Sequence, residues 1–249
     1  MGYQRQSTVG RTKKLKGVNE MSLPKISQKE EIPIYTFGAM SFKDLEHLVS
    51  IKRNLETEVF SNWFEAEIQL SPDDLVFFDN LIQENYFLIE SYNEEELKVK
   101  FISPILNRVK FTDVEHEIRD FYEEKITYRT DRFVLTGTTD FLVSKGLEYS
   151  KKPYFFIQEF KKSIRNDDPR PQLLAELISA VELNGFKEIK GAFIIGENWN
   201  FVILDKLDFD KYQYFVSHTL NATHINDLQQ IYKNLLFVKH EIIKMEEQL

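Results

Sequence analysis

The residues that could do chemistry sit close together in the chain. Asp140 lies inside an apolar, β-branched run, Phe133 to Val143 (FVLTGTTDFLV), and Glu159 and Lys161 close a second run, YFFIQEFK. Alternate residues of a strand share a face, so Glu159 and Lys161 point together and Phe160 points the other way. If the two runs pair as a hairpin, Asp140 falls beside Glu159. Adjacent carboxylates at the end of apolar strands repel each other and resist burial unless something positive neutralises them. A hard divalent cation does this, and Mg²⁺ uses one or two carboxylates plus waters and phosphate oxygens. The chemistry that suits such a set is phosphodiester hydrolysis, with a lysine offsetting charge on the phosphorus.

The tripeptide alone says little. Glu-x-Lys occurs four times, at Glu96/Lys98, Glu123/Lys125, Glu159/Lys161 and Glu188/Lys190, as expected in a chain that is 29% charged, and each is by default a solvated pair. Only Glu159/Lys161 follows an apolar run, has an Asp-bearing run upstream, and precedes a helical pattern with Gln172 and Glu176 four apart on one face. Other chemistries are disfavoured. The absence of Cys excludes thiolate nucleophiles, zinc–thiolate sites and disulfides. The five His are scattered without ligand spacing, and no Gly-rich phosphate loop is present.

Several elements must position these residues. Ser41 with Asp44, Ser71-Pro72-Asp73-Asp74, and Asn93 with Glu94, Glu95 and Glu96 read as three helix starts over 41–106. Pro104 inside the third pattern predicts a kink or an early end. Strands follow at Ile118–Tyr128, 133–143 and 154–162, with the turn-rich 145–153 as a hairpin connector. A helix spans Gln172–Leu183 and stops at Asn184-Gly185. Strands at Gly191–Ile195 and Trp199–Leu204 flank a turn. A last helix, about 225–247, carries an apolar stripe from Ile225 to Met245. That stripe is expected to pack on the chain's own sheet, with a homodimer seam as the alternative. The order predicts an α/β (α+β) fold with a mixed central sheet flanked by helices. The expected divisions are a basic, polar, disordered tail (1–33), an N-terminal helical region (34–92), a core (93–205) and a C-terminal helical segment (206–249). Met21 is a second possible start.

The stretch 133–204 resembles the core of PD-(D/E)xK nucleases, the restriction-endonuclease-like superfamily. The likeness runs through TTDFLV, YFFIQEFKKS, PQLLAELISAVELNG and IKGAFIIGENWNFVIL, and is similar to the nuclease domain of type I restriction subunits. The resemblance implies that Asp140 and Glu159 bind metal, that Lys161 assists catalysis and that Gln172 supports the site, with Glu176 a turn later. EEELKVKFISPIL resembles the helix from which the family supplies a further glutamate, so Glu95 or Glu94 is the expected third ligand. Acids in a first turn also satisfy the helix dipole. The Pro-Asp of the family's name is Thr139-Asp140 here. The implied activity is a Mg²⁺- or Mn²⁺-dependent nuclease acting on nucleic acid, with DNA the expected substrate. The likeness covers about 93 to 205.

Charge qualifies this expectation. With 32 Lys+Arg against 40 Asp+Glu the net charge is -8, which argues against tight non-specific coating of nucleic acid. Residues 151–172 are nevertheless net basic, and Lys152, Lys162, Arg165 and Arg170 are the cations expected to meet phosphates. No apolar run spans a bilayer and no signal-peptide core is present, so a cytoplasmic protein without membrane contact is expected. Two rivals stand beside the nuclease. One is a non-catalytic module that binds nucleic acid or protein. The other is a carboxylate-pair hydrolase such as a glycosidase, which needs no lysine on the same strand face.

Overall fold

A computed structural model describes Met1, residues 32–163 and residues 168–247. The tail expected over 1–33 therefore lies outside the described residues, apart from Met1, Ile32 and Pro33. From Ile32 the chain forms β1 (Ile34–Thr36), a 3₁₀ turn (Phe37–Ala39), α1 (Phe42–Leu48), β2 (Ser50–Arg53), α2 (Ser61–Phe64), α3 (Pro72–Asn85) and α4 (Glu94–Leu97). A π-helical turn (Lys98–Ile102) leads into α5 (Ser103–Val109), then β3 (Ile118–Arg129), β4 (Val134–Lys145), β5 (Lys151–Lys161) and α6 (Pro169–Asn184). The chain ends with β6 (Glu188–Ile195), β7 (Asn198–Asp208), β8 (Lys211–Val216), β9 (Leu220–Asn221) and α7 (Ile225–Glu246).

The strands make one mixed sheet in the order β1-β4-β5-β6-β7-β8-β2, with β3 on β4 and β9 on β7. β3, β4 and β5 are antiparallel neighbours, as are β6, β7 and β8. β6 lies parallel to β5, and parallel pairing requires a crossover, which α6 provides. The sheet curls around α6, which touches every strand from β3 to β7. One face carries α6 and α1 over Leu142, Ile157, Phe193 and Val202. The other carries α2, α3, α5 and α7 over Phe141, Phe156, Phe160, Ile194 and Phe201.

Local sequence accounts for the helix boundaries. Capping boxes close at Ser41/Asp44, Ser71/Asp74 and Asn93/Glu96. Gly185, at φ 72°, ends α6 in the left-handed conformation that glycine adopts without cost. Pro104 cannot donate to the carbonyl one turn back. The helix continues past it nonetheless, widening to the π turn just before and restarting as α5.

Two regions differ from expectation. The 34–92 stretch is not purely helical, because β1 and β2 join the sheet beside β4 and β8. The 206–249 stretch holds the end of β7 and all of β8 and β9 before its helix. β1, β2, β8 and β9 are two to six residues long, too short to stand out from their neighbours in the sequence. The stripe on α7 is internal. Leu228, Ile231, Leu235, Val238 and Ile242 are buried in the chain's own core, where Tyr232 meets Phe78 edge-on at 5.0 Å and Trp63 Nε1 donates to Asn234 O at 2.8 Å. Most of the stripe is thus used within the chain, while Met245 at its end is exposed. Among the described residues no helix is long and apolar enough to cross a membrane.

The seat of α6 on β6 depends on Gly191. A Cβ there would lie 2.8 Å from Ile157 O and 3.0 Å from Leu177 Cδ2. Overpacking of this kind costs about 1–3 kcal/mol. Gly191→Ala is therefore expected to lower the urea midpoint by that much stability, and an unchanged midpoint would refute the tight seat.

Candidate active site

β4 and β5 pair from their hairpin only as far as Phe141 opposite Gln158. Beyond that rung they part, and β1 takes up the β4 edge at Val134–Thr136. At the fork the Phe160 N–H has no strand carbonyl to meet, and Asp140 Oδ2 accepts it at 2.8 Å. Asp140 Oδ1 receives Lys98 Nζ at 3.3 Å, and the same ammonium donates to Glu123 Oε1 at 2.5 Å. Glu123 sits across the ladder from Asp140, between the rungs Tyr122–Phe141 and Glu124–Thr139, with a left-handed φ of 54°. Such a backbone costs a non-glycine residue about 1–3 kcal/mol and persists only where its surroundings hold it.

Glu159 and Lys161 share a face of β5, as the alternation predicts. Glu159 is 1% exposed. Its Oε1 accepts from Lys161 Nζ at 2.8 Å, and its Oε2 is buried with no hydrogen-bond partner. Burial pushes the Glu159 carboxyl up to about 8, the charge of Asp140 adding to the effect and Lys161 opposing it. For Lys161, burial lowers the ammonium, but the charges of Glu159, Asp140 and Glu94 outweigh it and hold the net shift upward. Behind them, α6 presents Gln172, whose Nε2 donates to Glu176 Oε1 at 3.1 Å. Glu176 is completely buried, its Oε2 has no partner, and burial first and Glu159 second push its carboxyl well above the usual range.

The structure thus brings Asp140, Glu159, Lys161, Gln172 and Glu176 together. Of the acids on α4, Glu94 reaches the rim, where its Oε2 accepts from Lys162 N at 3.1 Å. Glu95 is exposed and makes no hydrogen bond or ion pair with the site. Glu96 closes the capping box and meets Lys100 at 3.4 Å. The expected phosphate-binding cations are dispersed. Lys162 Nζ is held by Tyr92 O. Arg170 grips both oxygens of Asp168 at the start of α6. Lys152 is exposed at the opposite end of β5, roughly 30 Å from Lys161 at the usual strand rise. Arg165 lies outside the described residues.

Sequence reasoning missed Lys98 and Glu123, treating both as members of solvated pairs. A signal for Lys98 was present: it falls three, four and seven residues before Phe101, Ile102 and Ile105, on the buried side of its helix. No sequence signal marks the backbone of Glu123.

Among the described residues no three His, Asp or Glu side chains gather so as to hold an ion by themselves. The donors that could reach one are Asp140 Oδ1 and the partnerless Glu159 Oε2, both hard carboxylate oxygens. Such a pair fits Mg²⁺ or Mn²⁺, which complete their coordination with water and phosphate. Comparison with protein-family models and with curated proteins finds no match for this chain.

The raised Glu159 carboxyl has a consequence for stability. Folded Glu159 keeps its proton up to about 8, whereas the usual value is 4.5. Its contribution is therefore complete at low pH and is lost as pH rises through that window, where the folded state binds more protons than the unfolded. Glu176 acts in the same sense. In metal-free buffer the thermal midpoint is expected to fall between about pH 5 and 8, and Glu159→Gln to fall less. Parallel pH curves for the two proteins would refute the assignment.

Proposed function

We propose that this chain is a divalent-cation-dependent nuclease of the PD-(D/E)xK type, hydrolysing phosphodiester bonds of nucleic acid, with DNA the preferred substrate. The observation that carries the proposal is the meeting of Asp140, Glu159 and Lys161 at the point where β4 and β5 part. A protein interior tolerates two close carboxylates only with compensation, and here one oxygen of Glu159 is still without it. The antiparallel β3, β4 and β5, the crossover α6, and the β6–β7 pair follow the order that the resemblance implies, and so support a restriction-endonuclease-like arrangement.

Each side chain has a definite part in this reaction. Asp140 and Glu159 would hold the cation, with Glu94 nearer to the site than Glu95 as a further acid. A bound Mg²⁺ or Mn²⁺ supplies Lewis acidity toward the phosphate and toward a water. Lys161, held by Glu159 and kept charged by its acidic neighbours, offers a compact cation to the charge that builds on the phosphoryl oxygens. Gln172 holds Glu176, whose burial disfavours a second charged carboxylate behind Glu159. A lysine 2.8 Å from one of the two carboxylates disfavours a glycosidase, in which two free carboxyls flank the bond that breaks.

One observation favours the binding-module alternative. Asp140 and Glu159 already have ammonium partners, Lys98 and Lys161, so the cluster is partly neutralised without any ion.

Cleavage of plasmid, single-stranded DNA and RNA, assayed with and without Mg²⁺ or Mn²⁺, separates the two. Metal-dependent cleavage is expected, reduced by about 10²-fold or more in Asp140→Asn, Glu159→Gln and Lys161→Met, in line with the loss of a charge-stabilising group. Absence of cleavage under every condition, with nucleic acid still bound, would replace the nuclease by the binding module.

A further inference from the structure

Lys98 occupies the ground that a cation at Asp140 would need. Its ammonium lies 3.3 Å from Asp140 Oδ1, the oxygen not used by the Phe160 N–H. It also lies over the Phe160 ring, 5.5 Å from the centroid. The side chain is only 12% exposed, so it cannot simply withdraw into solvent. What it does have is a second carboxylate, Glu123, which it holds more closely, at 2.5 Å, and whose own side chain is 62% exposed at the rim.

Two irregularities of the backbone set up this arrangement. Lys98 opens the π-helical turn between α4 and α5, and single π turns inside helices are frequent at functional sites. Glu123 takes a left-handed φ at the one position of β3 that faces Asp140, which breaks the strand's regular alternation there. Two separate segments thus depart from regular geometry, and the residues at which they do so meet each other, Lys98 lying between Glu123 and Asp140.

We propose that Lys98 is the resident counter-ion of Asp140, that it passes to Glu123 when a divalent cation binds, and that this pair thereby sets the cation affinity of the site. This rests on the metal-dependent reading above. Lys98 and Glu123 are positioning residues, since neither needs to touch substrate. Release from Asp140 gives up the longer of two contacts and keeps the shorter, so the charge remains paired throughout. A lysine left beside Asp140 would repel the incoming ion, whereas one drawn to Glu123 lies farther from it.

The test is Mn²⁺ binding, followed by the electron paramagnetic resonance signal of the free ion and by calorimetry, without nucleic acid. Lys98→Met is expected to lower the Mn²⁺ Kd by about tenfold, the effect of removing one close positive charge from a partly buried site. Lys98→Arg is expected to stay near the wild-type value. Glu123→Gln, which strips Lys98 of its second partner, is expected to weaken binding, and the double variant to return to the value of Lys98→Met, because Glu123 acts only through Lys98. Lys98→Gln replaces Lys98→Met if melting shows the latter unfolded. If wild type binds Mn²⁺, Asp140→Asn does not, and Lys98→Met binds no tighter than wild type, the counter-ion role falls and the metal site stands. If the loss in Glu123→Gln persists in the double variant, Glu123 is itself a ligand and the transfer is refuted. If neither wild type nor Lys98→Met binds Mn²⁺, the metal reading falls and the proposal with it.

Discussion

Asp140 can hold its place because β4 and β5 stop pairing one rung before it. A sheet that stayed zipped would give the Phe160 N–H a backbone carbonyl, and the Asp140 carboxylate would then have to face a neighbour across a closed ladder. At the fork the carboxylate replaces the missing carbonyl instead. That bond fixes Asp140 relative to the very strand that carries Glu159 and Lys161. A buried N–H left without any partner would be costly, so the fork and the aspartate stabilise one another. β1, pairing with the β4 edge that β5 leaves, keeps the divergence from exposing an open strand.

Around that bond two lysines separate three carboxylates except at one point. Lys98 is shared by Glu123 and Asp140, and Lys161 is held by Glu159, so Asp140 and Glu159 are the two like charges that meet in the series Glu123, Lys98, Asp140, Glu159, Lys161. Glu159 bears the conflict, being buried beside Asp140. Its outcome is a raised carboxyl with one partnerless oxygen. Glu176 bears a second conflict, deeper still, and Gln172 compensates only one of its oxygens. Buried groups with unmet polar demand are uncommon in folded proteins. Two of them, Glu159 Oε2 and Glu176 Oε2, fall within one cluster, where burial raises both carboxyls.

The sequence made the geometry of the candidate site legible where it depends on short-range periodicity. The two-residue repeat put Glu159 with Lys161 and sent Phe160 to the other face. The four-residue step put Gln172 over Glu176. Capping residues located three helix starts. What stayed hidden depends on distance along the chain. Lys98 and Glu123 are separated by 25 positions and meet only because helix and sheet pack together. β1 and β2 owe their strand conformation to edges of β4 and β8 folded elsewhere, since tertiary context outweighs propensity in segments this short. The partners of the basic residues stayed hidden for the opposite reason. Lys162 and Arg170 lie close to the site in sequence, yet each is claimed by an oxygen of its own surroundings, Tyr92 O and the Asp168 carboxylate. A local count of charges cannot see such partners.

The segment before α3 follows from the same logic as the buried glutamates. α6 is apolar around nearly its whole circumference, from Leu173 to Val181, so contact with the sheet alone would leave one side of it in water. The 3₁₀ turn at Phe37–Ala39 and α1 cover that side, with Phe37 and Leu45 wholly buried. The fit is close where the 3₁₀ turn meets β4: a Cβ on Gly137 would fall 2.7 Å from Phe37. Glu176 is desolvated because this cover exists. The chain from β1 to α1 is consequently part of what sets the acidity of the site, although none of its residues carries a charge into it.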